Sequence, residues 1–175
     1  MSGHVSIGRT AQRWIFWCSV AAAVLLLCFI YGNSLQNGEE SRQTSDAVVE
    51  VVKPIVDPRD EIEDETFSTI IRKLAHFTEF FWLGMAICGV MLSARAYPRL
   101  ASVRASEALL FLLLCAVADE FLQSFTGRTS SVRDVLIDFG GALSGLLITY
   151  LAVRGVSRLC SKLRVNERKN PRLSS

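Results

Sequence analysis

The chain has no CxxC pair and no cysteine in its hydrophilic loops: Cys18, Cys28, Cys88 and Cys115 fall inside apolar runs and Cys160 in a basic tail. That spacing supports neither a zinc motif nor a disulfide framework, so the cysteines read as small buried apolar residues, and no metal or cofactor is assigned. Net charge is also scarce. At +2 it is too small to argue for nucleic acid, and the basic residues are not interleaved with exposed aromatics as a nucleic-acid surface needs. Internal repeats are missing, which gives little support to a channel or transporter. Of two histidines only His76 lies in an apolar segment, and no nucleophile motif stands near it.

Apolar runs are plentiful. Half of the residues are hydrophobic and the mean hydropathy is +0.32, yet 21% are charged, so the charges must be segregated from the apolar segments. The run Trp14 to Gly32, with Trp14, Trp17 and Tyr31 at its ends, is long enough to cross a hydrocarbon core of about 30 Å at 1.5 Å per residue. It is longer than a signal-peptide core and has only a weak cleavage site at Gly32 and Ser34, so an uncleaved first span is expected. Three more segments follow, giving spans near 14–32, 72–94, 105–125 and 132–153. The fold class predicted is all-α: a four-transmembrane-helix bundle over residues 14–153, with an N-terminal arm (1–13) and a basic tail (154–175).

Charge orients it. The arm, the loop around Arg95, Arg99 and Arg104, and the tail hold twelve of the 19 Lys and Arg residues, whereas the long connection after the first span carries ten carboxylates. The positive-inside rule then sets both termini in the cytoplasm and the acidic connection outside. The tail can touch anionic lipid heads. Within the connection, DAVVEVVKPIV reads as a short amphipathic helix on the bilayer surface, capped by Ser45 or Asp46 and disrupted or ended by Pro54. DPRDEIEDE reads as a solvated helix start.

Ionisable residues inside spans cost about 2.5–3.5 kcal/mol each on insertion scales, so they are expected to face protein or water and to mark function. Arg72, His76 and Glu79 recur at four and three residues, on one helix face. Asp119 and Glu120 can converge on Gln123. Gly127 turns the next loop, Ser131 caps the last helix, and Asp134, Asp138, Gly141 and Gly145 share a face, the Gly141-x-x-x-Gly145 pair marking a close helix-packing seam. Counted from the outer ends of their spans, Glu79, Asp119 and Asp138 all lie roughly 10 Å deep. Cations at Arg72, Lys73, Arg128 and Arg133 ring the mouth above them. A polar pocket open to the extracytoplasmic side is expected, with His76 and Gln123 in its wall.

RKLAHFTEFFWLG, then ADEFLQSFTGRTSSVRDVLIDFGGALSG, with YGNSLQNGEES after the first span, resembles the VanZ-like family of small bacterial membrane proteins. The resemblance runs from about Tyr31 to Leu147 and carries the family pattern onto Arg72, Lys73, His76, Glu79, Gly84, Asp119, Glu120, Gln123, Arg128, Asp134, Asp138 and Gly141. Asp138 stands where many members carry asparagine. The resemblance implies a multi-span protein of the bacterial cytoplasmic membrane and cell envelope, its founding member linked to teicoplanin-type glycopeptide resistance.

Three readings stay open. In the first, the pocket binds an anionic or polar envelope component, a lipid head group or cell-wall precursor, with the arginines as donors. A second makes the chain an intramembrane enzyme in which His76, with Glu79, Asp119 or Glu120, ligates a divalent metal or performs acid-base work on a lipid-linked substrate. In the third, the polar groups only pair to lock the bundle, for example Arg128 or Arg133 with Asp119 or Asp138.

Overall fold

The computed structural model describes residues 8–36, 38–59, 61–94, 97, 105–127 and 131–169. In chain order the helices are α1 (Arg9–Ser34), α2 (Gly38–Val56), α3 (Asp64–Ser93), α4 (Ala105–Ser124) and α5 (Val132–Lys169). Among the described residues there is no strand.

The first helix contains no proline and is apolar on nearly every side. It buries Phe16, Ala23 and Ile30, seven residues apart, and then Ser34 a turn later, while Trp14, Trp17, Leu25 and Phe29 are exposed. A seven-residue stripe is what one helix offers to neighbours packed along its length. Large apolar side chains on the remaining surface suit lipid better than water.

An acid-rich connector precedes α3 and is shaped by its own side chains. Asp57 accepts hydrogen bonds from the backbone N–H groups of Glu61 (3.1 Å) and Ile62 (2.8 Å), and Asp64 and Glu65 sit in the first turn of α3, where carboxylates complement the helix dipole. α2 lies against this end. Its Lys53 pairs with Asp64, Ser68 Oγ donates to Asp46 at 3.2 Å, and Val49 is buried while Val51, Ile55 and Val56 remain exposed. The helix begins at Gly38, earlier than a cap at Ser45 allows, and it passes Pro54 to end at Val56. Proline withholds one N–H, but Asp57 N–H still donates to the Lys53 carbonyl at 2.8 Å, so a proline this near the end is tolerated.

The closest helix pair is α3 with α5. A Cβ at Gly84 would run into the backbone of Ala142, one at Gly141 into the Phe77 carbonyl, and one at Gly145 into the Phe81 carbonyl. Between lipid-facing helices the apolar driving force is weak, and small residues that let backbones meet supply packing instead. The Gly141 and Gly145 pair predicted as a seam therefore faces α3 of the same chain. Phe80, Leu83 and Cys88 of α3 fill the core with Ala23 and Ile30 of α1, Leu112, Cys115 and Ala116 of α4, and Ala142 and Leu146 of α5.

Among the described residues, three segments are long and apolar enough to cross a membrane: Arg9–Ser34, Asp64–Ser93 and Val132–Leu163. α4 has the length, 20 residues, but carries Glu107, Asp119 and Glu120, and length and composition alone do not add it to the other three. α5 continues unbroken beyond residue 153, so the described part of the basic tail is helical.

Candidate functional site

Four helices contribute polar side chains to one end of the bundle. α1 supplies Asn33 and Ser34 from its last turn. His76 and Glu79 come from one face of α3, Asp119, Glu120 and Gln123 from the last turns of α4, and Asp134 and Asp138 from the first two turns of α5. The i, i+3 and i, i+4 spacings keep each helix's set on one face, and the glycine seam draws α5 close enough for Asp138 to reach α3.

Asp119 is at the centre, with no exposed surface. Ser34 Oγ donates to its Oδ1 at 2.5 Å, and Gln123 Nε2 donates to its Oδ2 at 2.7 Å. His76 Nδ1 lies 3.7 Å from Asp119 Oδ2 and 3.9 Å from Glu79 Oε2. Asn33 Nδ2 donates to Glu79 Oε1 at 3.1 Å, holding that carboxylate from the α1 side. Asp138 is 2% exposed, and one ligand atom from each of His76, Asp119 and Asp138 falls within 4.8 Å of the other two. Glu120 accepts the Ser131 N–H at 2.9 Å, so α4 grips the start of α5, while Ser131 Oγ accepts the Arg133 N–H at 3.2 Å as the cap. Gly127 adopts φ 75°, the left-handed turn expected between α4 and α5.

Asp119 and Asp138 come together with His76, and Glu79 stands 3.9 Å from the same ring. The cations distribute differently. Lys73 Nζ pairs with Asp134 Oδ1 at 2.7 Å, a bridge at the rim where both side chains keep substantial exposure. Arg72 is half-buried and borders a cleft of about 870 Å³ between α2 and the start of α3, lined also by Lys53, Asp57, Ser68 and Thr69. Arg133 is exposed and, among the described residues, forms no ion pair with Asp119 or Asp138. Arg128 lies outside the described residues, as do Arg95, Arg99 and Arg104.

Asn33 and Ser34 were not among the residues that spacing singles out. The signal was available in YGNSLQ, two hydrogen-bonding side chains at the end of an otherwise apolar helix. Such a pair is also what an ordinary span terminus at the water interface carries, so position alone does not distinguish the two.

Among the described residues the layer is rich in carboxylates. Four carboxylates and one imidazole, mostly buried, suit a cation, a proton-transfer step, or a ligand that brings its own positive charge or metal.

Comparison with curated proteins and with solved structures gives no match. A family model described as VanZ/LLP1 matches residues 19–153, a stretch that contains every polar residue of the layer and the whole glycine seam. By that match over most of its length, the chain belongs to the VanZ/LLP1 family.

Proposed function

We propose that the chain is a four-crossing protein of the bacterial cytoplasmic membrane, with both ends in the cytoplasm, α2 on the outer bilayer surface, and a pocket that takes the polar head of an envelope component from the extracytoplasmic side. α4 qualifies as the fourth crossing because the acids that count against it on composition, Asp119 and Glu120, are buried, whereas Leu110, Leu114, Val117 and Phe121 are exposed. The distribution of basic residues supports the orientation. Exposed Val51, Ile55 and Val56 give α2 an apolar side for the bilayer surface.

One observation carries the pocket: Ser34, His76, Asp119 and Asp138, from four helices, converge in a single buried layer. A bundle that needed only to be locked together could do so with apolar packing, and the glycine seam already supplies that. Arg72, Arg128 and Arg133 are the donors for a phosphate or carboxylate above the layer. The link of the VanZ-like family's founding member to teicoplanin-type glycopeptide resistance makes a lipid-linked cell-wall precursor the first ligand class to test and glycopeptide susceptibility the phenotype to read.

The enzyme reading has one observation in its favour, the 3.7 Å approach of His76 Nδ1 to Asp119 Oδ2. A carboxylate beside an imidazole nitrogen orients the ring and stabilises its protonated form, the arrangement a general base uses.

Mass spectrometry of lipids that copurify with the full chain tests the binding reading. An anionic lipid enriched over the bulk membrane is expected with the wild type, and a several-fold loss of it in Arg72→Ala and Arg128→Ala. A wild-type profile equal to bulk lipid, or one unchanged in both variants, would reject it.

A further inference from the structure

We propose that His76, Asp119 and Asp138 bind a divalent metal ion of the zinc or manganese class, at the floor of the pocket described above. The inference rests on that pocket reading for its use, but not for its chemistry.

The donors come from α3, α4 and α5, so no two are neighbours in sequence, and the bundle alone brings them within 4.8 Å of one another. One imidazole with two carboxylates is a ligand set that suits zinc, manganese or ferrous iron, and leaves further coordination positions open. Ligands about 2.1 Å from a tetrahedral ion stand about 3.4 Å apart, so side-chain adjustments of about 1 Å close the site.

Two features beyond proximity point to a cation. Asp138 is 2% exposed, and among the described residues its carboxylate makes no hydrogen bond or ion pair. A carboxylate this buried needs a positive partner or a donor, and His76 and Asp119 each bring a ligand atom within 4.8 Å of one of its oxygens. Asp119, for its part, is held in orientation at both oxygens by Ser34 and Gln123, which is how outer residues fix a ligating carboxylate. Glu79, anchored by Asn33 and 3.9 Å from His76, stands beside the same centre as a fourth ligand or as a base toward a metal-bound water.

A bound dication also removes a difficulty in the pocket reading. Among the described residues the layer is dominated by carboxylates, and a dication at its floor would offer a phosphate oxygen a positive partner there.

The test uses the full chain in detergent, stripped with chelator and titrated with zinc or manganese alone. Saturable binding of about one ion per chain is expected, weakened at least about tenfold in Asp138→Asn and His76→Ala and retained in Asp134→Asn at the rim. Since the first two variants could disturb folding, zinc-edge X-ray absorption on the wild type gives a second readout: one imidazole nitrogen with the remaining ligands oxygen. No saturable binding of either metal, equal affinity in Asp138→Asn, or sulfur in the metal's shell from Cys115 would overturn the site. Lipid copurification separates the two readings. Metal binding without lipid enrichment keeps the cation site and rejects the head-group pocket, and lipid enrichment without metal binding does the reverse.

Discussion

Ser34 donates a 2.5 Å hydrogen bond to Asp119, a fully buried carboxylate 85 residues further along the chain. It ties the C-terminal end of α1 to α4 at the centre of the polar layer, and it is charge-assisted when the carboxylate is ionised. Ser34→Ala removes the donor and leaves the acceptor buried. A loss of about 1–3 kcal/mol is expected, read as a lower Tm in detergent, with Ser34→Thr close to wild type. An unchanged Tm in the alanine variant would mean that the hydrogen bond contributes nothing to the α1–α4 junction.

The glycine seam separates two kinds of glycine in α5. Gly141→Ala and Gly145→Ala set a methyl against the backbones at Phe77 and Phe81, so α3 and α5 must move apart, at a cost of about 1–3 kcal/mol each. Gly140 has open space around it, and Gly140→Ala should be neutral or stabilise by up to about 1 kcal/mol. Thermal unfolding of the three variants is the check, and equal effects at all three would remove the seam from the account.

Topology is checked by impermeant thiol labelling in a cysteine-free background. Glu61→Cys, on the α2–α3 connector, should label in intact cells, and Arg99→Cys only after permeabilisation. The reverse pattern would turn the pocket toward the cytoplasm.

Glu79→Gln keeps the size of the side chain and the Asn33 hydrogen bond while removing a charge. In cells whose teicoplanin susceptibility responds to the wild-type protein, this variant should insert at normal levels and lose at least about tenfold of the response. Loss of the protein from the membrane instead would mark Glu79 as a brace.

Much of this was legible in the sequence because each helix repeats its own spacing. His76 and Glu79, Asp119 and Gln123, and Asp138, Gly141 and Gly145 could be assigned to faces from i, i+3 and i, i+4 intervals, and counting residues from span ends pointed to Glu79, Asp119 and Asp138 as neighbours. What spacing does not encode is how a helix is rotated against its neighbours. Arg133 reads in the sequence as one of the cations at the mouth, with a pairing to Asp119 or Asp138 as one form of the bundle-locking alternative; it is exposed, and Lys73 pairs with Asp134 at the rim. Ser34 was hidden for the same reason, since only the packing of α1 against α4 turns a terminal serine into a buried donor. α2 begins at Gly38 and not at the Ser45 cap, a start that its polar first half does not announce by any apolar period.

The central claim is that the buried acids act on a ligand and are not merely a brace. Its most direct measurement is native mass spectrometry of Asp119→Asn beside the wild type, at matched membrane levels and matched Tm. The asparagine variant should remain folded and inserted but carry none of the head-group lipid that the wild type retains. Lipid retained by the variant, or a variant that cannot be inserted because the bundle no longer holds, would contradict the claim.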